Sequence, residues 1–164
     1  MTLGTKFIQA LETFTGPADE VVLWEGDLAL RARVRDADRL ACVLDSLEMQ
    51  GPPPTAFSDS ALLVQQQAQA LRERLIYLSE PLRLVEQVAD WVQMRSFPPL
   101  STAESIDYFE LLLRGGNTLT LQRYTYDKTA GRRRPREFSL TKEAACRLVD
   151  DLAAVLQQEE HNSA

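Results

Sequence analysis

Histidine is almost missing from this chain. The single one, His161, falls within 158–164, where a disordered tail is expected. That position removes Ser-His-Asp triads and most histidine metal sites. Cysteine is scarce too. Cys42 and Cys146 lie far apart, and neither sits in a CxxC pair or beside a plausible metal ligand. A cysteine nucleophile would lack its base. Both thiols are expected to stay reduced in a cytoplasmic setting, a disulfide between them being the less favoured alternative. The few glycines build no GxGxxG, GxSxG or other phosphate-cradling loop. No apolar run reaches the roughly 18 residues of a membrane span. The opening MTLGTKFIQALETFTG lacks the continuous apolar core of a signal peptide. The acidic pairs Asp150-Asp151 and Glu159-Glu160 are sequence neighbours, not two carboxylates facing across a cleft. Together these absences point away from an enzyme, and from a metal or other cofactor, towards a binding protein.

The composition is that of a folded protein. Hydrophobic residues make up 45% and charged residues 26% of 164, which argues against wholesale disorder. The formal net charge of -6 disfavours broad, non-specific attraction to nucleic acid or an anionic membrane. It leaves room for a local basic patch.

Taken in order, the pattern divides the chain into an N-terminal helix (1–16), a first α+β half (18–96), a linker (97–104), a second half (105–157) and the tail (158–164). Phe7, Leu11 and Phe14 recur at helical spacing until Gly16-Pro17. Val21 to Val34 reads as two strands turning at Gly26-Asp27. Arg31, Arg33 and Arg35 line one face of the second strand; Leu30, Ala32 and Val34 line the other. Asp36 to Met49 reads as a helix, with Leu40, Val43, Leu44 and Leu47 as its stripe. Gly51 to Ser60 reads as a loop. Ala61 to Leu78 fits one long helix or two strands. Two strands are expected, because Ser79-Glu80-Pro81 looks like a new helix start, with Leu84, Val88, Trp91 and Val92 buried behind it. Arg39-Leu40, Arg83-Leu84 and Arg147-Leu148 each open a similar apolar stripe, an echo that suggests a degenerate duplication. The fold class expected is α+β: an antiparallel sheet with amphipathic helices on one face, two related strand-strand-strand-helix halves being one way to build it.

The densest positive charge follows. Tyr108 to Leu113 and Thr118 to Tyr126 read as strands around the turn Gly115-Gly116-Asn117. Asp127 to Arg136 is a basic turn, Phe138-Ser139-Leu140 a short strand, and Thr141 caps a last helix with Glu143 in its first turn. Arg123, Lys128, Arg132, Arg133, Arg134 and Arg136 interleave here with Tyr124 and Tyr126. Guanidiniums that track phosphates and aromatic faces that stack bases are what a single-stranded nucleic-acid groove requires. A solvated turn whose tyrosines cover the core is the plainer alternative.

The run Arg123-Tyr124-Thr125-Tyr126-Asp127, then Gly131 to Pro135, then Phe138 to Glu143 resembles the DNA-binding domain of the positive-cofactor-four family of transcription coactivators, and more distantly the Whirly fold. The resemblance implies a strand-strand-strand-strand-helix module that pairs as a dimer or pseudo-dimer and binds single-stranded DNA. The eight residues Arg123, Tyr124, Tyr126, Lys128, Arg132, Arg133, Arg134 and Arg136 would be its contacts. It departs from that pattern at Glu137 and at Ala144-Ala145. By architecture and charge alone, the chain is also similar to class I secretion chaperones, which bind an extended segment of a protein partner, usually as dimers.

Overall fold

The computed structural model describes residues 1–55, 59–78 and 80–157. Helix α1 (Leu3–Glu12) buries Leu3, Phe7 and Leu11 on one face, and Thr2 caps it by accepting a hydrogen bond from the Thr5 amide at 3.1 Å. Strands β1 (Asp19–Glu25) and β2 (Leu28–Ala37) form a hairpin. In β2 the alternation holds: Leu28, Leu30, Ala32 and Val34 are buried, while Arg31, Arg33 and Arg35 are exposed. Strand β3 (Ala41–Gln50) precedes helix α2 (Ser60–Arg74), whose N-terminal amides of Ala61 and Leu62 donate to Asp59. A second hairpin, β4 (Leu82–Val88) with β5 (Trp91–Ser96), turns through Ala89-Asp90. The short β6 (Leu100–Ser101) leads to β7 (Ser105–Arg114) and β8 (Thr118–Asp127). Gly115 and Gly116 supply positive φ angles at the turn between these last two. Strands β9 (Arg132–Arg136) and β10 (Phe138–Thr141) run into helix α3 (Lys142–Leu156), capped by Thr141.

All strands join one antiparallel sheet in the order β1-β2-β3-β8-β7-β5-β4. Strands β3 and β8 pair along Leu47–Gln50 and Leu121–Thr118, then diverge. The gap is filled by the last strands: β9 pairs with the far half of β8, β10 with the first half of β3. The three helices share one face of the sheet and touch each other through α3. A single buried cluster runs through all of them, from Phe7 and Leu71 to Leu111, Leu121 and Leu152. Asp150 of α3 accepts from the Gly4 amide at 2.8 Å, placing a carboxylate at the positive end of α1. A side chain at residue 4 would strike the Cys146 carbonyl, so only glycine allows that approach. No helix among the described residues is long and apolar enough to cross a membrane.

The α+β class, the antiparallel sheet, α1, the β1–β2 and β7–β8 hairpins and the capped α3 agree with the sequence reading. Four segments do not. Residues 132–136, read as part of a basic turn over 127–136, are strand β9 paired with β8. Residues 41–50 are strand, not helix. Between β2 and β3 the pairing jumps from Arg33–Ser46 to Val34–Leu44 and then to Asp36–Val43, leaving Arg35 and Asp45 outside the register. This irregularity stretches the spacing of the buried Leu44 and Leu47 to three residues, which imitates a helical stripe. Residues 60–74 are helix, not two strands. Residues 82–96 are a hairpin, not a helix. A second bulge, at Val85, again disguised period two. Leu84 and Val88, expected in the core, are about half exposed, and Trp91 is only partly buried. Of the three echoed Arg-Leu pairs, only Arg147-Leu148 lies in a helix, so the helical echo is not present. Ser79 and the tail expected to be disordered lie outside the described residues.

Candidate interaction surface

Strand alternation sorts the second half of the sheet into two faces. In β7, Phe109, Leu111 and Leu113 turn towards the helices and the common core. Ile106, Tyr108 and Glu110 turn the other way, onto an outer face that no helix covers. The register aligns Tyr108 with Tyr124 of β8, and Glu110 with Arg95 of β5, which in turn faces Arg83 of β4. Tyr126 faces Ile106 on one side and Arg133 of β9 on the other.

Glu110 is the hub of this face. It is 3% exposed, although no helix lies over it. Arg133 Nη1 donates to both of its oxygens at 3.0 Å, and Arg95 Nε reaches one at 3.4 Å. Gln93 also donates to it. Burial alone would raise the pKa of this carboxyl. The hydrogen bonds from Arg133 and Gln93, with the charges of Arg133 and Arg95, outweigh that and hold it below the usual carboxylate range. The same arginines stack on rings. Arg133 lies 3.9 Å over Tyr124, Arg95 4.9 Å over Tyr108, and Arg83 3.8 Å over Phe97. Tyr108 and Tyr124 sit 6.0 Å apart, and Arg133 also donates to the Tyr108 hydroxyl at 3.3 Å.

The eight residues singled out from the sequence therefore do not form one strip. Tyr124, Tyr126 and Arg133 share the outer face, and Arg133 already covers one side of the Tyr124 ring. Arg123, Arg132, Arg134 and Arg136 belong to the opposite face. Arg123 is largely buried, paired with Glu80 at 3.4 Å and stacked on Phe109. Arg136 pairs with Asp107 at 3.4 Å, and the Thr125 hydroxyl donates a hydrogen bond to the same Asp107 at 2.6 Å. Lys128 in the β8–β9 turn donates to the Thr102 carbonyl at 2.7 Å and to Ser101. Arg132 and Arg134 alone among the eight are cations without an ion-pair or hydrogen-bond partner among the described residues. Their charges help to hold Asp127 below its ordinary pKa, after the hydrogen bonds from the Ala130 and Thr129 amides.

A different feature stands out on the outer face. A groove of about 480 Å³ opens between β4, the 97–99 segment and the β7–β8 surface. Leu84, Val85, Phe97, Pro99, Ile106 and Tyr126 give it apolar walls, and Arg83 and Arg95 its charge. It adjoins β4, the last strand of the sheet, whose far side has no strand partner among the described residues. Leu84, Val85 and Val88 on that strand are 49%, 50% and 57% exposed. Sequence reasoning missed this site because it placed 82–92 in a helix. The alternation of Leu82 and Leu84 and the pairing of β-branched Val85 and Val88 with a polar turn at Ala89-Asp90 were the signals available.

Among the described residues no cluster of three or more metal-ligating side chains is present. In comparisons with family models, curated proteins and solved structures, nothing matches this chain.

Proposed function

We propose that the chain is a non-enzymatic binding protein that docks an extended polypeptide segment along β4 and the adjoining groove. The observation that carries this reading is an open sheet edge bearing half-exposed Leu84, Val85 and Val88 beside an apolar cleft. Unpaired backbone groups of an edge strand are a template for an added strand, and neighbouring pockets take its alternate side chains. Folded proteins commonly blunt such edges with charge or a bulge; this edge has exposed Arg83 and Glu86 and a bulge at Val85, yet Leu84, Val85 and Val88 remain half exposed beside the cleft.

Binding of single-stranded nucleic acid through residues 123–136 is the second reading, and the free Arg132 and Arg134 favour it. Ion pairing weighs against it: Arg123, Arg133 and Arg136 are each held by a carboxylate, and phosphates would have to displace those partners. Two assays separate the readings. A phage library of random peptides of about 12 residues, panned on the whole chain, should enrich apolar sequences whose binding is lost in Leu84→Asp. A labelled oligothymidine of about 20 nucleotides, titrated at low salt, should give no anisotropy change. Oligonucleotide binding that is steeply salt-dependent and lost on charge reversal at Arg132 and Arg134, with no peptide enriched, would overturn the docking reading. A dimer closed through β4, seen by sedimentation and abolished by Leu84→Asp, would give the same edge a second copy as its occupant and would also overturn it.

A further inference from the structure

Arg83 and Arg95 stand directly opposite each other across β4 and β5. Like charges at opposed positions on one face of a sheet destabilise it unless something compensates. Arg95 has only a share in Glu110, whose two oxygens both take closer bonds from Arg133. Arg83 has no ion-pair partner among the described residues and rests against Phe97. Arg95 and Arg133 thus share one carboxylate and Arg83 has none, on a protein whose total charge is -6. The local surplus of positive charge faces the groove, since Arg83 and Arg95 both line it.

From this geometry we infer that the docked segment carries an aspartate or glutamate, which is held between Arg83 and Arg95 while its apolar neighbours fill the groove. The inference rests on the docking reading above. A carboxylate at this place would relieve the opposed charges and give Arg83 the partner it lacks. Planar guanidiniums fixed against aromatic rings are already oriented to offer paired N–H groups to such an anion. A polypeptide carboxylate fits better than a phosphate chain because Arg83 and Arg95 are the only cations in the lining among the described residues, and apart from Ser96, Tyr108 and Tyr126 its other residues are apolar, with no further charge for a second or third anion.

The test uses the peptides enriched from the random library. They should contain an acidic residue at a fixed distance from the apolar ones. For one synthesised peptide, replacing that acid by its amide should weaken binding about tenfold. Arg83→Gln should weaken the acidic peptide by a similar factor, leave the amide peptide unaffected and restore nothing by itself. Arg83→Lys, which keeps the charge, should recover part of the loss. Circular dichroism and urea unfolding of both variants check that the exposed edge keeps its fold. Peptides that bind without any acidic preference, with Arg83→Gln silent, would overturn the carboxylate inference and leave the docking reading standing. An acidic preference unaffected by Arg83→Gln would place the anion elsewhere and overturn it too. A library that enriches nothing, or competition by the oligothymidine alone, would overturn the docking reading and this inference with it.

Discussion

Two rows of arginines on the same side of one sheet behave differently. On β2, Arg31, Arg33 and Arg35 alternate out from the core and stand in solvent. Arg31 meets a part-exposed Glu20 at 3.4 Å and Arg35 meets Asp45 at 2.8 Å, and among the described residues no aromatic ring stacks on any of the three. On the β4–β5–β7–β9 side, Arg83, Arg95 and Arg133 each cover a ring, and the last two converge on a buried carboxylate. Period two decides which way each side chain points. What stands on the neighbouring strands decides whether the result is a hydrated fringe or a packed layer. The Glu110 cluster is a second, polar core laid over the face that the helices leave bare.

The contrast can be broken most directly at its hub. Glu110→Gln should cost about 2–3 kcal/mol in urea unfolding, because it strands two guanidiniums beside a buried amide. Asp45→Asn, the matching change on the first row, should cost less than about 0.5 kcal/mol. Equal losses would show that the two faces do not differ. Acid sharpens the same point. The carboxyl of Glu110 is lowered in the folded state, so its contribution is complete above its unfolded pKa, near 4.5, and is lost as pH falls through the lower folded value. The urea midpoint of the parent should therefore drop more steeply below about pH 4.5 than that of Glu110→Gln. Parallel curves would remove Glu110 from the account. Next in size, Arg133→Lys keeps the charge but loses the stack on Tyr124 and the shared hold on both oxygens. It should cost about 1 kcal/mol. The smallest effect belongs to Arg31→Ala, within about 0.5 kcal/mol of the parent, since an exposed pair gains little over water.

The first row was readable in the sequence because nothing interrupts β2 from Leu28 to Val34. Hairpin chemistry at Gly115-Gly116-Asn117 and the Thr141 cap before an unbroken apolar stripe were just as plain. Strands β3 and β4 were each hidden by a local irregularity, and with β4 went the setting of the second row. Arg35 and Asp45 drop out of the β2–β3 register and bond to each other, and Val85 bulges from β4. Each added residue turns a spacing of two into three or four, the mark of a helix. Once 80–92 was taken for a helix, α2 was read as strands to make room for it, although Asp59 caps that helix as plainly as Thr141 caps α3. The basic residues were correctly located on a β-ribbon, but their carboxylate partners, Glu80, Asp107 and Glu110, lie 43, 29 and 23 residues away from Arg123, Arg136 and Arg133. No local pattern announces a partner at that distance.

The seam closed by β9 and β10 has a consequence for synthesis. Strand β3 leaves the ribosome early, yet the first half of its edge finds its neighbour only when residues 138–141 emerge, nearly a hundred positions later. Until then the nascent chain holds a hairpin and a half whose apolar side has no α3 to cover it. Closure of the sheet must wait until β9 and β10 have emerged, so it should be cooperative, with slow, long-range pairing as its last step.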